Sequence, residues 1–313
     1  MLHPPWFWRS DGAIPRLLSP LSWLTATITA RRVARPGWRA PIPVICCGNV
    51  TVGGAGKTTV ALDIGQRLVA RGRGVHFLLR GYGGTVRGPH RVEANDTAAR
   101  VGDEALLLAE VAPTWVGADR AASARVAVAA DAQVLVMDDG LQNPTLRKDL
   151  SLLVVDGASG FGNGRVLPAG PLREPLDKGA ARCQAAVVTG ADIDLPPSLP
   201  VLRAHLVPDP EIQEFVDAKV LAFAGIAVPN KFFTMLRENK LDLVRSVSFP
   251  DHHPYSDADI YRLIEMARGA TLVTTPKDAV RLPAIMRSKV RVMGVSLAWD
   301  TPAMLDAMLD ALF

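Results

Sequence analysis

One local succession constrains the fold of this chain more than any other. The apolar run Ile42-Pro43-Val44-Ile45-Cys46-Cys47 reads as a buried strand, and Val60-Ala61-Leu62-Asp63-Ile64-Gly65-Gln66-Arg67-Leu68 carries apolar residues at helical spacing. Between them lies Thr51-Val52-Gly53-Gly54-Ala55-Gly56-Lys57-Thr58. Strand, glycine-rich turn, Gly-Lys-Thr and helix is the context of a phosphate-binding P-loop. Its glycines let backbone N–H groups close around phosphate oxygens, and the helix N-terminus adds positive potential. Lys57 then reaches the β- and γ-phosphates, and Thr58 offers its hydroxyl to Mg²⁺. Thr51 stands where the usual pattern has its first glycine.

Strand candidates alternate with helix candidates beyond this point. Strands are expected at 42–47, 75–79, 134–137, 152–155, 185–188, 220–223, 243–249, 272–274 and 290–295. Helices are expected at 58–71, 104–112, 118–130, 232–238, 257–268 and 302–312. Such alternation implies an α/β, P-loop NTPase-like fold, a mostly parallel sheet with helices on both faces. The 313 residues, 49% of them hydrophobic, suffice for one large domain or a large and a small one. Proline thickens around Pro196–Pro210. We therefore expect a P-loop core over 41–200 and a smaller C-terminal α/β lobe over 201–313 that contributes to the active-site cleft. Cys46, Cys47 and Cys183 show no metal-ligand spacing, and a reducing cytoplasm fits them.

Residues 1–40 differ in character. They hold Trp6, Trp8, Trp23 and Trp38, and they carry Arg9, Arg16, Arg31, Arg32, Arg35 and Arg39 against a single acid, Asp11. Leu17, Leu18, Leu21, Leu24 and Ile28 fall on one helical face. The stretch is too short and too interrupted to span a bilayer. It suits the surface of an anionic membrane, or a helix packed on the domain with arginines as a solvated rim. The net charge of +4 is too small to argue for a nucleic-acid partner.

Four further segments carry chemistry. Val134-Leu135-Val136-Met137-Asp138-Asp139 is an apolar strand ending in two carboxylates, where a P-loop enzyme holds Mg²⁺. Gly102-Asp103-Glu104 opens a helix, so Asp103 is either its N-cap or a carboxylate aimed at an acceptor hydroxyl. The Gly- and Pro-rich stretch from Phe161 to Glu174 is too long for an ordinary loop. Within it Arg173 can clamp phosphate and Glu174 can steady a metal-bound water, or both can be surface charges. In Asp251-His252-His253-Pro254, His252 can orient a carboxylate or shuttle a proton, or the pair is structural.

Taken in order, these motifs resemble the tetraacyldisaccharide 4'-kinase family. The resemblance rests on Gly48 to Thr58, Arg80-Gly81-Tyr82-Gly83-Gly84, Val101-Gly102-Asp103-Glu104, Asp138-Asp139-Gly140-Leu141-Gln142 and Gly160-Phe161-Gly162-Asn163-Gly164. It continues through Leu167 to Glu174, Phe223-Ala224-Gly225-Ile226, Asp251-His252-His253 and Thr274 to Val280. It implies transfer of the γ-phosphate of ATP to the 4'-hydroxyl of a lipid-linked glucosamine disaccharide 1-phosphate in lipopolysaccharide synthesis. It further implies a peripheral place on the cytoplasmic face of the bacterial inner membrane, reached through the N-terminal segment.

Carried over, Asp103 accepts or orients the acceptor proton, His252 tunes Asp103, and Lys57 holds the transferring phosphate. Thr58 with Asp138 or Asp139 organises Mg²⁺, and Arg120, Gln142 and Arg173 line the nucleotide site. Three positions depart from the family pattern: Leu141 replaces an aromatic, Asn143 a histidine and Pro276 a glutamate. Asn143 is given no acid–base role. Two other readings compete, a soluble P-loop kinase of a small molecule and a membrane-associated switch ATPase. Pro276-Lys277-Asp278 is no guanine motif, which favours ATP over GTP.

Overall fold

The computed structural model describes residues 5–313, so the first four residues of the expected 1–40 segment lie outside it. The strands are β1 (Val44–Gly48), β2 (Val75–Leu79), β3 (His90–Arg91), β4 (Thr114–Val116), β5 (Val134–Asp138), β6 (Leu150–Asp156), β7 (Ala185–Thr189), β8 (Val201–Pro208), β9 (Lys219–Ala224), β10 (Asp242–Ser248), β11 (Thr271–Thr274), β12 (Val290–Val292) and β13 (Val295–Trp299). A nine-stranded sheet runs β13-β8-β7-β6-β1-β5-β2-β4-β3, and a four-stranded sheet runs β10-β9-β11-β12. Within the larger sheet only the edge strands β3 and β13 pair antiparallel.

The central strands are apolar without alternation because both faces are covered. Successive residues of β1 divide between two cores. Ile45 and Cys47 pack with Val60, Ile64 and Leu68 of the Lys57–Ala70 helix and with Leu305 and Leu309 of the Pro302–Asp310 helix. Val44 and Cys46 pack on the other face with Ala124 and Ala127 of the Arg120–Ala129 helix. The smaller sheet is covered likewise, by Phe232, Phe233 and Leu236 on one side and by Ile260 and Leu263 on the other. β1 therefore sits mid-sheet between β5 and β6, where the chain order reverses and α/β sheets bind ligands.

Sheet membership departs from the expected boundary after residue 200. β8, β13 and the Pro302–Asp310 helix all belong with the larger sheet. The proline-thickened stretch therefore does not mark the junction. The expected strand over 290–295 is two strands, interrupted at Met293-Gly294, and its halves belong to different sheets.

Residues Ala13–Val33 form one helix. Its inward face is Pro15, Ser22 and Thr29, the residues it buries. Ser22 Oγ donates to the Val166 carbonyl at 2.7 Å and accepts from the Ala169 N–H at 3.2 Å. Leu17, Leu21, Trp23, Leu24 and Ile28 point outward, with Leu17 81% and Trp23 71% exposed. Among the described residues no helix is long and apolar enough to cross a membrane.

Candidate active site

The loop leaving β1 turns through Gly53 (φ 119°) and Gly56 (φ 82°), left-handed positions where a side chain is strained. Gly56 caps the Lys57–Ala70 helix, so that helix opens its N-terminus onto the loop. At the entrance, Asn49 Nδ2 donates to Thr51 Oγ1 at 2.7 Å, and the Thr51 N–H donates to Asn49 Oδ1 at 3.0 Å. This buried brace occupies the place of the missing first glycine. The Pro171–Glu174 segment runs alongside, with the Val52 N–H on the Pro171 carbonyl at 2.9 Å and the Arg173 N–H on the Val50 carbonyl at 2.6 Å. These bonds take up the Thr51 and Val52 amides. The amides left to face a phosphate are those of Gly53, Gly54, Ala55, Gly56, Lys57 and Thr58, which narrows the expectation for 51–58.

β5 lies beside β1 with Cys47 opposite Asp138, which brings the two motifs together. Thr58 Oγ1 donates to Asp138 Oδ2 at 2.8 Å. The other oxygen, Asp138 Oδ1, is buried without a partner. Burial pushes the Asp138 carboxyl up to about 6, against the pull of Lys57. Asp139, in a left-handed conformation (φ 54°), accepts from both terminal nitrogens of Arg173 at 2.8 and 3.0 Å and lies 3.7 Å from Lys57 Nζ. Burial pushes its carboxyl up as well, but Lys57 and Arg173 outweigh burial and hold it below the ordinary value. The adjacent carboxyls are thus shifted in opposite directions, and Arg173 grips only Asp139.

Gln142 knits this centre together. Its Nε2 donates to the Asn49 carbonyl and to Glu174 Oε1, each at 2.8 Å, and its Oε1 accepts from Arg173 at 3.3 Å. Glu174 also accepts from Arg182 at 2.7 Å. Arg120 is buried and donates to the Gly117 carbonyl at 2.6 Å, and burial brings its pKa down to about 10. At that value it remains a cation at neutral pH.

A second group assembles across the gap between the sheets. Asp103 is the first residue of the Asp103–Ala109 helix, and Gly102 takes the cap position. The Asp103 carboxylate accepts from His252 Nδ1 at 2.8 and 3.0 Å. Burial raises the Asp103 pKa, and His252 together with Arg281 outweighs it and leaves the carboxyl below its ordinary value. The hydrogen bond to Asp103 holds the His252 imidazole above its own. His252 has a left-handed backbone (φ 57°), tied by its N–H to the Gly225 carbonyl at 3.1 Å. Its neighbour His253 turns away, stacking on Phe249 and meeting Asp259 at 3.1 Å.

Asp103, Glu104 and His252 each offer a ligand atom within 4.8 Å of the others. Glu104, however, is paired with Lys277 at 2.8 Å, and the trio is an acid–base pair beside an ion pair. The two groups are near neighbours: Asp138 interacts electrostatically with both Glu104 and Lys277. A methyl placed on Gly54 would lie 3.8 Å from Ala227 Cβ, so the loop after β9 borders the P-loop directly.

The family model described as tetraacyldisaccharide-1-P 4'-kinase matches residues 14–313. The chain belongs to the tetraacyldisaccharide 4'-kinase family. It is 57% identical to the tetraacyldisaccharide 4'-kinase of Gluconacetobacter diazotrophicus, over 99% of this chain and 98% of that one. It is 53% identical to the enzyme of the same name from Gluconobacter oxydans, with the same coverage. It also superposes on a crystal structure of LpxK from Aquifex aeolicus in complex with ATP, with TM-score 0.79 and 25% identity over 96% of this chain and 100% of that one.

Of the three departures from the tetraacyldisaccharide 4'-kinase pattern, Asn143 and Pro276 have local explanations and Leu141 has none in the structure. Leu141 is buried against Gly48, where a Cβ would come within 2.5 Å of the leucine Cβ. Asn143 Oδ1 accepts from the Thr145 N–H and hydroxyl at 3.1 and 3.0 Å, which makes it a turn residue. Pro276 opens the short Pro276–Ala279 helix after the Thr275 cap, a position where its missing N–H costs nothing.

The residues that sequence reasoning missed are Tyr255, Asp278 and Arg281. Asp278 is fully buried and accepts from the Gly225 N–H, the Tyr255 hydroxyl, Thr275 Oγ1 and Arg281. The available signal was an acid inside the Thr274–Val280 segment with an arginine three residues on, one helical turn away.

Proposed function

We propose that this protein transfers the γ-phosphoryl group of ATP to the 4'-hydroxyl of a lipid-linked glucosamine disaccharide 1-phosphate, with Asp103 as base. The observation that carries this reading is the Asp103–His252 pair, held across the cleft from a P-loop. A switch ATPase has no use for a carboxylate kept ionised on the acceptor side.

Asp103 takes the proton of the acceptor hydroxyl as that oxygen bonds to the γ-phosphorus. The bond from phosphorus to the β–γ bridging oxygen breaks, and ADP leaves. His252 orients the base and keeps it charged. Amides of Gly53–Thr58 and the ammonium of Lys57 hold the phosphates, and Arg120, Arg173 and Gln142 frame them. The residues present fit Mg²⁺: Thr58 and Asp138 converge, and Asp138 Oδ1 is buried without a protein donor. Asp139 and Glu174 are engaged by Arg173 and Arg182, and we assign them to ordering the ligands from one step out. When bound, Mg²⁺ offsets the charge of the β- and γ-phosphates.

The N-terminal helix supports a membrane-surface reading of the acceptor. Its outward face is leucine and tryptophan, and Arg31 and Arg32 of its last turn and Arg35 and Arg39 beyond it are exposed. Apolar residues that enter the headgroup region, next to arginines that attract anionic lipid, fit a peripheral protein on the cytoplasmic face of the inner membrane. We assign residues 1–40 to that role and the two sheets to the two walls of the cleft.

The test is transfer of label from γ-labelled ATP to a detergent-dispersed lipid A disaccharide 1-phosphate. Label in the lipid that requires Mg²⁺ and vanishes in Lys57→Ala supports the proposal. ATP hydrolysis with unlabelled lipid overturns it.

A further inference from the structure

The Arg281 guanidinium lies where four separate constraints on the acid–base pair meet. Its side chain is 5% exposed. Nε donates to the Lys277 carbonyl at 2.9 Å and lies 3.6 Å from Asp103 Oδ2, which belongs to the larger sheet's lobe. Nη2 donates to Asp278 Oδ1 at 2.7 Å and to the Gly225 carbonyl at 2.9 Å. That same carbonyl accepts the His252 N–H at 3.1 Å. Nη1 reaches the His253 carbonyl at 3.4 Å.

The arginine is itself fixed from behind. Asp278 accepts from the Gly225 N–H at 2.8 Å and from the Tyr255 hydroxyl at 2.7 Å, and the guanidinium lies 5.9 Å from the Tyr255 ring centroid. Gly225 has no space for a side chain: a Cβ there would meet the Pro250 carbonyl at 2.9 Å and Asp278 at 3.2 Å. A planar guanidinium can satisfy this spread of acceptors, and an ammonium cannot.

We propose that Arg281 is a positioning residue for phosphoryl transfer, seating Asp103 against His252 through a buried frame of Asp278, Tyr255 and Gly225. The inference rests on the reading of Asp103 as the acceptor base. Arg281 touches no reacting atom. It places a positive charge 3.6 Å from Asp103 Oδ2, the oxygen nearer to His252, and clamps the backbone that presents His252. Charged groups facing Asp103 are His252, Arg281 and Lys277 from the smaller lobe and Glu104 from its own helix. With Arg281 gone, the carboxylate keeps its hydrogen bonds from His252 and from the Asp103 backbone but loses the cation that also clamps the His252 loop.

The test is a double-mutant cycle by single-turnover transfer from ATP to the lipid acceptor, in full-length protein with saturating Mg²⁺. Arg281→Gln should lower the transfer rate about 10- to 100-fold, the range of direct coupling between contacting groups. The KM for ATP should stay within about two-fold, as expected for a residue that acts at the acceptor side. In an Asp103→Asn background the same substitution should change the rate less than about two-fold, because its target is already absent. Equal fold-losses in both backgrounds, or a rise in KM for ATP at unchanged rate, overturn the proposal in favour of a structural role.

Removing a buried cation that contacts Asp278 can also unfold the protein. Arg281→Lys therefore runs through the same cycle, keeping the charge and losing the fork. It should lose activity only where Asp103 is present, and full wild-type activity in Arg281→Lys sinks the positioning role. The premise fails separately: wild-type turnover in Asp103→Asn alone removes the base assignment, whatever Arg281 does.

Discussion

His252 Nδ1 stands 2.8 Å from the Asp103 carboxylate, and the two residues belong to different lobes, Asp103 opening a helix on the larger sheet and His252 following β10 of the smaller. The pair therefore exists only while the lobes are this close. Asp103→Asn should lower turnover about 10³-fold while leaving ATP binding near wild type, the scale expected on losing a general base. His252→Ala should cost less, since an orienting partner contributes less than the base it orients. Steady-state kinetics with nucleotide binding by fluorescence separate the two effects.

The same pair makes stability depend on pH with a definite sign. The His252 pKa is raised by its bond to Asp103. Its contribution is fully present below the unfolded histidine value and fades as pH rises through the raised one. The Asp103 pKa is lowered, and its contribution is present above the unfolded value and fades as pH falls through the lowered one. The stability difference between wild type and His252→Gln should be largest between those limits and shrink on the alkaline side. Denaturant unfolding from about pH 5 to about pH 9 measures it.

Asp138 behaves in the opposite sense. Burial pushes its carboxyl up to about 6, so its ionised form is penalised in the fold. Without metal, that penalty is absent below the unfolded value and complete above about 6. Relative to wild type, Asp138→Asn should gain stability on the order of 1–3 kcal/mol between acid and neutral pH. It should also lose Mg²⁺-dependent turnover and the thermal shift that Mg²⁺ with nucleotide produces. A variant whose stability tracks wild type across pH would place the buried charge elsewhere.

Arg173 grips Asp139 with two nitrogens, and lysine cannot reproduce that fork. Arg173→Lys should reduce kcat about 10-fold or more even though the charge is kept. Near-wild-type kinetics in this variant would reduce the arginine to a counter-charge.

The outer face of the Ala13–Val33 helix can be changed without touching its packing, because Pro15, Ser22 and Thr29 do the packing. Leu17→Ser with Trp23→Ser should leave the melting temperature within a few degrees, as surface changes do. Binding to anionic vesicles should fall about 10-fold or more as buried apolar area is lost. Vesicle sedimentation reads the second effect and calorimetry the first. Unchanged sedimentation would assign the face to another partner.

Much of this was legible in the chain. The P-loop context and the apolar strands gave the larger sheet because period and glycine placement are local signals. Asp138 and Thr58 meet because adjacent parallel strands end together. What stayed hidden depended on long-range pairing. β8 alternates buried and exposed residues on the flank of a proline-thickened stretch, so it read as a junction. The run 290–295 looked continuous because its one sign of a break, Gly294, is equally compatible with a bulge inside a single strand. Asp103 was ambiguous with a helix cap until His252, 149 positions away, took its carboxylate. Arg281 carried only the weak signal of its three-residue spacing from Asp278, since its role is set by where Asp103 and Gly225 meet.

The pairing of Pro208 with Val295 has a topological consequence. β8 and β13 form an antiparallel hairpin whose turn is an entire four-stranded sheet. Both ends of that module are anchored on one rung of the larger ladder, so it is a plug with a double stalk rather than a tail. Such a stalk permits rocking and resists twisting or detachment. Lys231 on Asp156, Lys277 on Glu104 and His252 on Asp103 then act as latches at the far side of the cleft. A cut at residue 208 would remove two elements of the P-loop layer along with the plug. Excision of 209–294, with the ends of the hairpin rejoined, would leave the nine-strand ladder whole.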